Sequence, residues 1–355
     1  MRVTVFGCGK VGTALSALLK LNGYQAVLID ANHKNLDKVH KITGFKCFLA
    51  SPGSISKDAF QELKKTEGVI CALPFSETIK VVKIALRLNL NYVDLTEDVE
   101  TALKIQEISS GAKTFFLPQV GLAPGLVSVY AKTIYREFNQ LEAVRLKVGA
   151  LPLYPSNALK YNLTWSTEGL LNEYIKDCYV IDQGEIKTVP ALEGYETFAV
   201  EGVLYEAFYT SGGIGTLHQT LRGKAKEVNY KSIRYPGHRD YIKFLLHDLK
   251  FREKPADLCK ILESSIPSTG QDKCLIFVEV IGHQNNALVQ KVFHKTFYHK
   301  TLFGVNFSAI QLATAAGALA SFDVALHSGK KGFLRVEDLD HSKILNHPVL
   351  KLIDS

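Results

Sequence analysis

The chain has few cysteines, and none are spaced to grip a metal. Cys8, Cys47, Cys71, Cys178, Cys259 and Cys274 are dispersed without a C-x-x-C step. That excludes a zinc site and a disulfide scaffold, and leaves most of them as small buried apolar groups. There is no dense run of Lys or Arg. A formal charge of +7 spread over 355 residues argues against nucleic acid as the main partner and suits an anionic ligand. There is no uninterrupted apolar span either. The most apolar long segment, Ser308 to Leu326, carries Gln311, Thr314 and Asp323 and reads as a buried helix, so no membrane partner is expected. Met1-Arg2 leads straight into an apolar strand with no room for a signal peptide, and the expected location is the cytoplasm. No internal repeat or low-complexity tract is visible.

What the chain does have begins at its first residues. Arg2 to Phe6 is a short apolar strand, Gly7-Cys8-Gly9-Lys10-Val11-Gly12 follows, and Thr13 to Leu21 is helical up to a stop at Asn22-Gly23. A strand running into G-x-G-x-x-G at the start of a helix is the context in which three glycines bind a dinucleotide. Gly7 allows the tight turn, Gly9 lets the backbone approach a pyrophosphate, and Gly12 lets helix and strand pack closely. Lys10 and Val11 open the helix whose free N–H groups hold the phosphates. A second strand, Gln25 to Asp30, ends on a carboxylate eighteen positions after Gly12, where such folds bond the adenosine ribose. An acid there repels a 2′-phosphate, so NAD is favoured over NADP, although His33 and Lys34 close behind it soften the preference.

Apolar and charged fractions of 46% and 22% describe a globular chain whose length suggests two domains. Up to residue 118 strands and helices alternate. Phe45 to Leu49, Gly68 to Leu73, Asn91 to Leu95 and Thr114 to Leu117 read as strands, with Asn32 and Ser76 as helix N-caps. This alternation predicts a parallel sheet covered on both faces, with ligands at the carboxyl ends of its strands. Three loops leave those ends: Leu73-Pro74-Phe75-Ser76, Asp94-Leu95-Thr96-Glu97, and Gln119 to Gly125. Leu73, Pro74, Gly121 and Pro124 are therefore candidates to touch the nicotinamide half of the cofactor, and the third loop reads equally well as a domain connector.

From Glu142 the pattern changes to longer alternating strands, with hairpins about Gln183-Gly184 and Asn285-Asn286. The expected architecture is α/β: a Rossmann parallel-sheet domain (1–138), an inserted α+β domain with an antiparallel sheet (139–307), and a helix and tail (308–355) returning to the first. Helices from Trp165 or Ser166 to Ile175, around Tyr241 to Leu249 and from Ala256 to Leu262 would cover the second sheet, and a homodimer through that domain is expected. Its densest polar cluster is Lys231-Ser232-Ile233-Arg234-Tyr235-Pro236-Gly237-His238-Arg239. Arg234 offers a planar fork for a carboxylate, though the spacing alone suits a surface ion pair equally. His238 can take or relay a proton near neutral pH, or simply make structural hydrogen bonds. The single tryptophan, Trp165, floors a pocket or packs a core, and Tyr209 to Thr216 reads as a pocket wall lacking the Walker lysine.

These blocks in order, Gly7 to Gly12, Tyr92-Val93-Asp94, Gly121 to Gly125, Thr164-Trp165-Ser166 with Asn172-Glu173-Tyr174, Phe208 to Gly213, and Ile233 to His238, resemble the saccharopine dehydrogenase family, and within it the lysine 6-dehydrogenase branch. The resemblance implies reversible hydride transfer between a nicotinamide ring and an amine-bearing carbon. In that branch the ε-carbon of L-lysine is oxidised to an imine, water releases ammonia, and the semialdehyde cyclises. The amine must first lose a proton, for which Asp94 and His238 are the candidates. Arg234 would clamp the α-carboxylate, and Trp165, Thr210 and Tyr235 would shape the slot. Alternatives are a saccharopine or carboxynorspermidine-type enzyme that joins or splits a secondary amine, which needs further cations such as Arg222, Lys224 or Arg239, and an NAD(H)-sensing protein without turnover. No metal is expected.

Overall fold

The computed structural model describes residues 1–354. It divides into Met1–Val129 with Thr301–Phe307 and the chain from Gln311 onward, and a second unit of Tyr130–Lys300 with Ser308–Ile310. In the first unit, short apolar runs become strands, most of them buried on both sides. They are β1 (Arg2–Phe6), β2 (Gln25–Asp30), β3 (Lys46–Leu49), β4 (Gly68–Cys71), β5 (Asn91–Asp94) and β6 (Phe115–Leu117). Helices connect them in the expected places. The Asn32 side chain accepts from the Lys34 N–H, and Gly44, at φ 70°, ends that helix. Ser76 is not a cap: the helix Phe75–Leu88 starts one residue earlier, with Pro74 at its N-cap, because the proline fixes φ at the chain's entry.

The second unit contains β7 (Gln140–Pro152), β8 (Cys178–Asp182), β9 (Glu185–Val189), β10 (Glu196–Val200), β11 (Val203–Tyr209), β12 (Ala225–Arg234), β13 (Asp272–Gln284) and β14 (Ala287–Tyr298). The main order is β10-β11-β12-β7-β13-β14, with the β8-β9 hairpin attached to β12. Both expected hairpin turns form, with Gln183, Gly184, Asn285 and Asn286 all at positive φ. The expected antiparallel sheet is corrected to a mixed one, since β12 runs parallel to β7. The two strands are far apart in sequence, so no hairpin fixes their relative direction. One face is covered by an apolar cluster that includes Leu170, Leu171, Tyr174, Phe208, Ile242, Leu246, Leu258 and Leu262. On β12 the alternation sends Tyr230, Ser232 and Arg234 to that face, and Glu227, Asn229 and Lys231 to the other.

The returning segment begins with a two-stranded ribbon, β15 (Lys300–Leu302) and β16 (Val305–Phe307). The helix Ala309–His327 follows. Within the second unit, the buried Asp272 carboxylate caps its start by accepting from the Ala309 and Ile310 N–H groups at 2.5 and 3.3 Å. This helix is long and apolar enough to cross a membrane by length and composition, but Ala316, Leu319 and Phe322 are fully buried. Phe322 packs edge-on against Phe115, and a Cβ on Gly68 would meet the Phe322 ring at 2.6 Å, so glycine is needed where the helix crosses β4.

A strand not foreseen in the sequence, β17 (Gly332–Phe333), completes a seven-stranded parallel sheet ordered β17-β6-β5-β4-β1-β2-β3. The chain runs outward from β1 to β3 and then returns to β4 on the other side. That reversal leaves a crevice at the carboxyl ends of β1 and β4. Phe6 is level with both Ile29 and Cys71, so the loops after β1, β2 and β4 emerge side by side.

Candidate functional site

Gly7 has φ +90°, and a Cβ there would lie 2.7 Å from the Ala72 carbonyl oxygen. A Cβ on Gly12 would lie 1.8 Å from the Gly7 carbonyl oxygen. Both glycines are therefore demanded by the protein's own backbone. Gly9 differs, because its Cβ would meet nothing within 4 Å. It is the N-cap of the helix Lys10–Leu21, and no side chain caps that end. An open space above a glycine, beside uncapped helix N–H groups, fits a pyrophosphate. Lys10 and Val11 begin the helix. Asp30, 8% exposed, ends β2 and holds the loop: its Oδ2 accepts from the Cys8 N–H at 2.6 Å, and its Oδ1 from the Asn32 N–H at 2.7 Å. Asn35 Nδ2 also donates to both oxygens, at 3.4 and 3.3 Å, long bonds that ribose hydroxyls can replace. Leu73 and Pro74 leave the end of β4. These residues fit a dinucleotide.

At the end of β5, Asp94 is fully buried. Its Oδ1 accepts from the Thr96 and Gln119 N–H groups at 3.0 and 3.1 Å, and its Oδ2 from the Tyr92 hydroxyl at 2.9 Å. Burial pushes its pKa up to about 6, against the pull of those hydrogen bonds. It is thus a carboxyl group whose charge changes close to neutrality, as a proton acceptor requires. The adjoining loop turns sharply at Gln119, a non-glycine residue at φ 63°. Gln119 is only 4% exposed, and its Nε2 has no hydrogen-bond partner among the described residues. An unpaired buried donor costs about 1–3 kcal/mol. Gly121 and Gly125 form a β-bridge, Pro124 follows Ala123 between them, and a Cβ on Gly317 would meet the Gly121 carbonyl oxygen at 2.7 Å. The loop is therefore clamped against the helix Ala309–His327.

In the second unit, Arg234 ends β12 and is 3% exposed. Its guanidinium stacks over the Tyr161 and Tyr174 rings, 5.0 and 5.7 Å from their centroids. Nε donates to the Tyr174 hydroxyl at 2.9 Å and Nη1 to the Ile233 carbonyl at 2.8 Å. Among the described residues it has no ion pair within 4 Å, although the Glu173 carboxylate acts on its charge from nearby, so the surface salt bridge that spacing left open is not what forms. Glu206 lies opposite Arg234 in the β11–β12 ladder, but its two oxygens accept from the Gly237 and Arg239 N–H groups, both at 2.7 Å.

His238 continues the same chain. The Leu159 carbonyl can only accept, so His238 Nδ1 donates to it at 2.8 Å, and Nε2 accepts from the Tyr174 hydroxyl at 3.0 Å. Burial, reinforced by the Arg234 charge, depresses its pKa to about 3. The ring is neutral in ordinary buffers, and its lone pair is already engaged by Tyr174. Trp165 Nε1 donates to the Tyr161 hydroxyl at 3.0 Å, Thr210 shares a 2.8 Å bond with Ser232, and Tyr235 donates to the Pro152 carbonyl at 3.0 Å. Among the cations considered for further carboxylates, Arg222 pairs with Glu185, and Arg239 with Glu193 and Asp240.

Sequence reasoning brings Arg234 and His238 into one cluster, with Trp165 reaching it through Tyr161. It missed Tyr161, Glu206 and the linking hydroxyl of Tyr174, although Tyr174 lies in one of the quoted blocks. No local signal marks Glu206, whose role arises from strand pairing. No group of His, Cys, Asp and Glu suited to a metal occurs among the described residues.

A parallel sheet with a glycine-lined crevice, joined to a second unit built on a mixed sheet, defines a two-unit α/β protein of dinucleotide-binding form. The chain belongs to the saccharopine dehydrogenase C-terminal domain family, whose model matches residues 121–355. In fold it is similar to apo histidine-tagged saccharopine dehydrogenase (L-Glu forming) from Saccharomyces cerevisiae. The TM-score is 0.78 with 16% identity, over 97% of this chain and 96% of that one. A looser likeness, at TM-score 0.49 and 12% identity over 99% and 98% of the two chains, is to C. glutamicum DAP dehydrogenase in complex with DAP.

Proposed function

We propose that the protein is an NAD-dependent oxidoreductase acting on the side-chain amine of an amino acid, with the ε-carbon of L-lysine as the favoured site of oxidation. Membership of the saccharopine dehydrogenase family and the crevice geometry support a nicotinamide cofactor. When bound, it would supply the hydride acceptor. The observation that carries the substrate reading is the Arg234 guanidinium, buried against two tyrosine rings with no carboxylate in direct contact among the described residues, Glu173 acting on it only at longer range. A buried charge of this kind is strongly favoured to pair with an incoming carboxylate. In this reading Arg234 holds the α-carboxylate, and Tyr174 and His238 fix the direction of its fork. Trp165, Thr210 and Tyr235 bound the aliphatic part. Water then releases ammonia from the imine.

The rival secondary-amine chemistry requires two or three carboxylates to be held. Of the three cations considered, Arg222 and Arg239 already carry acidic partners and Lys224 is exposed to solvent, which favours a substrate with one carboxylate. The homodimer expected through the second unit belongs to the same reading, and the mass in solution tests it. Arg234→Ala tests the substrate assignment. Loss of a charge-assisted bond worth ~1.5–3 kcal/mol raises KM for the amino acid about tenfold to a hundredfold and leaves KM for NAD nearly unchanged. Equal substrate kinetics in variant and parent would remove Arg234 from the site.

A further inference from the structure

Gln119 holds a donor that nothing among the described residues uses. The residue follows β6, and its own N–H is spent on Asp94 at 3.1 Å. Its backbone sits in the left-handed region at φ 63°, its side chain is all but covered, and Nε2 lacks any acceptor. Left-handed backbone at a non-glycine residue together with an unsatisfied buried amide is tolerated where a ligand completes the arrangement. The sheet order indicates which part of a ligand that is. Asp30, the adenosine anchor, lies on β2, one strand to one side of β1, whereas β4, β5 and β6 follow on the other side. A dinucleotide crossing the crevice at β1 and β4 therefore directs its nicotinamide half towards the ends of β5 and β6. The nicotinamide half carries an amide carbonyl, the kind of acceptor that a glutamine N–H takes.

We infer that Gln119 Nε2 donates to the carboxamide oxygen of the bound nicotinamide, fixing which face of the ring is presented to substrate. The inference rests on the cofactor reading above. Asp94 accepts the Gln119 N–H, so one residue joins the candidate proton acceptor to the ring orientation.

The test is equilibrium binding of three probes, NADH, its thionicotinamide analogue and ADP-ribose, to the full chain and to the Gln119→Ala and Gln119→Asn variants. Urea midpoints report whether the variants fold. ADP-ribose lacks the ring, and sulfur is a poor hydrogen-bond acceptor. The inference expects both variants to bind NADH about fivefold to tenfold more weakly, to bind ADP-ribose as the parent does, and to lose the parent's preference for NADH over the thio analogue. Unchanged NADH affinity would overturn it, assigning Nε2 to water. Equal weakening of NADH and ADP-ribose would also overturn it, because Gln119 would then act only through the loop. A parent chain that binds none of the three probes would instead overturn the cofactor reading itself.

Discussion

Gly9 and Gly12 stand three residues apart in one loop-to-helix turn, yet alanine should do different things at each. At Gly12 the new Cβ would lie 1.8 Å from the Gly7 carbonyl oxygen and 2.8 Å from its carbon. Both are backbone atoms and cannot swing aside, so the helix Lys10–Leu21 must lift from the loop by more than an ångström. Overpacking of this severity costs at least about 3 kcal/mol, at the top of the usual range. At Gly9 the Cβ meets nothing within 4 Å, and φ is −68°, so alanine fits the backbone. Its small cost as an N-cap is offset by the reduced freedom of the unfolded chain, each roughly 0.5–1 kcal/mol. The methyl group does, however, occupy the space assigned to the pyrophosphate. Forfeiting one charge-assisted hydrogen bond of ~1.5–3 kcal/mol weakens NADH about tenfold to a hundredfold. Urea denaturation and NADH fluorescence titration of both variants make the test. Gly12→Ala is expected to unfold well before the parent. Gly9→Ala is expected to keep the parent's midpoint and lose the cofactor. A Gly9→Ala chain that binds NADH with full affinity would refute the placement of the pyrophosphate.

Asp30→Ala removes both the acid and the ties to Cys8 and Asn32; NAD should bind more weakly and the NADP-to-NAD affinity ratio should rise. A ratio equal to the parent's would dismiss Asp30 as the discriminating residue. His238, with its pKa depressed to about 3 from an ordinary 6.5, binds its proton more readily in the unfolded chain. Its contribution is therefore fully present above pH 6.5 and declines as pH falls towards 3, by up to about 1.4 kcal/mol per pH unit. His238→Gln should flatten the pH dependence of the urea midpoint between pH 6 and 4, and an unaltered slope would contradict the buried neutral ring.

Much of the first unit was legible because its signals are local. A glycine that must turn, a carboxylate that ends a strand and an asparagine that caps a helix each act within a few residues. Asn285-Asn286 and Gln183-Gly184 likewise specify their own hairpins. What was hidden depends on partners far away in the chain. The parallel pairing of β7 with β12 follows from neither strand's pattern. β17 has two residues and gains its identity only beside β6. The polar cluster of the second unit shows the same division. Arg234 and His238 were visible as residue types, whereas Tyr174, which joins them through one hydroxyl, is brought there by the helix Thr167–Ile175. Ser76 misled because a serine before an apolar run has the right chemistry for a cap, while Pro74 two residues earlier fixes the start of the helix.

Coupling between an amine and a reducible ring is what separates a dehydrogenase from a cofactor binder. The direct measurement is absorbance of the reduced nicotinamide when the protein and NAD are mixed with L-lysine, with ammonia assayed in parallel. One NADH and one ammonia per lysine consumed is the predicted result, and NADH bound by the protein with no amine-dependent absorbance, from lysine or any other amino acid, would contradict it.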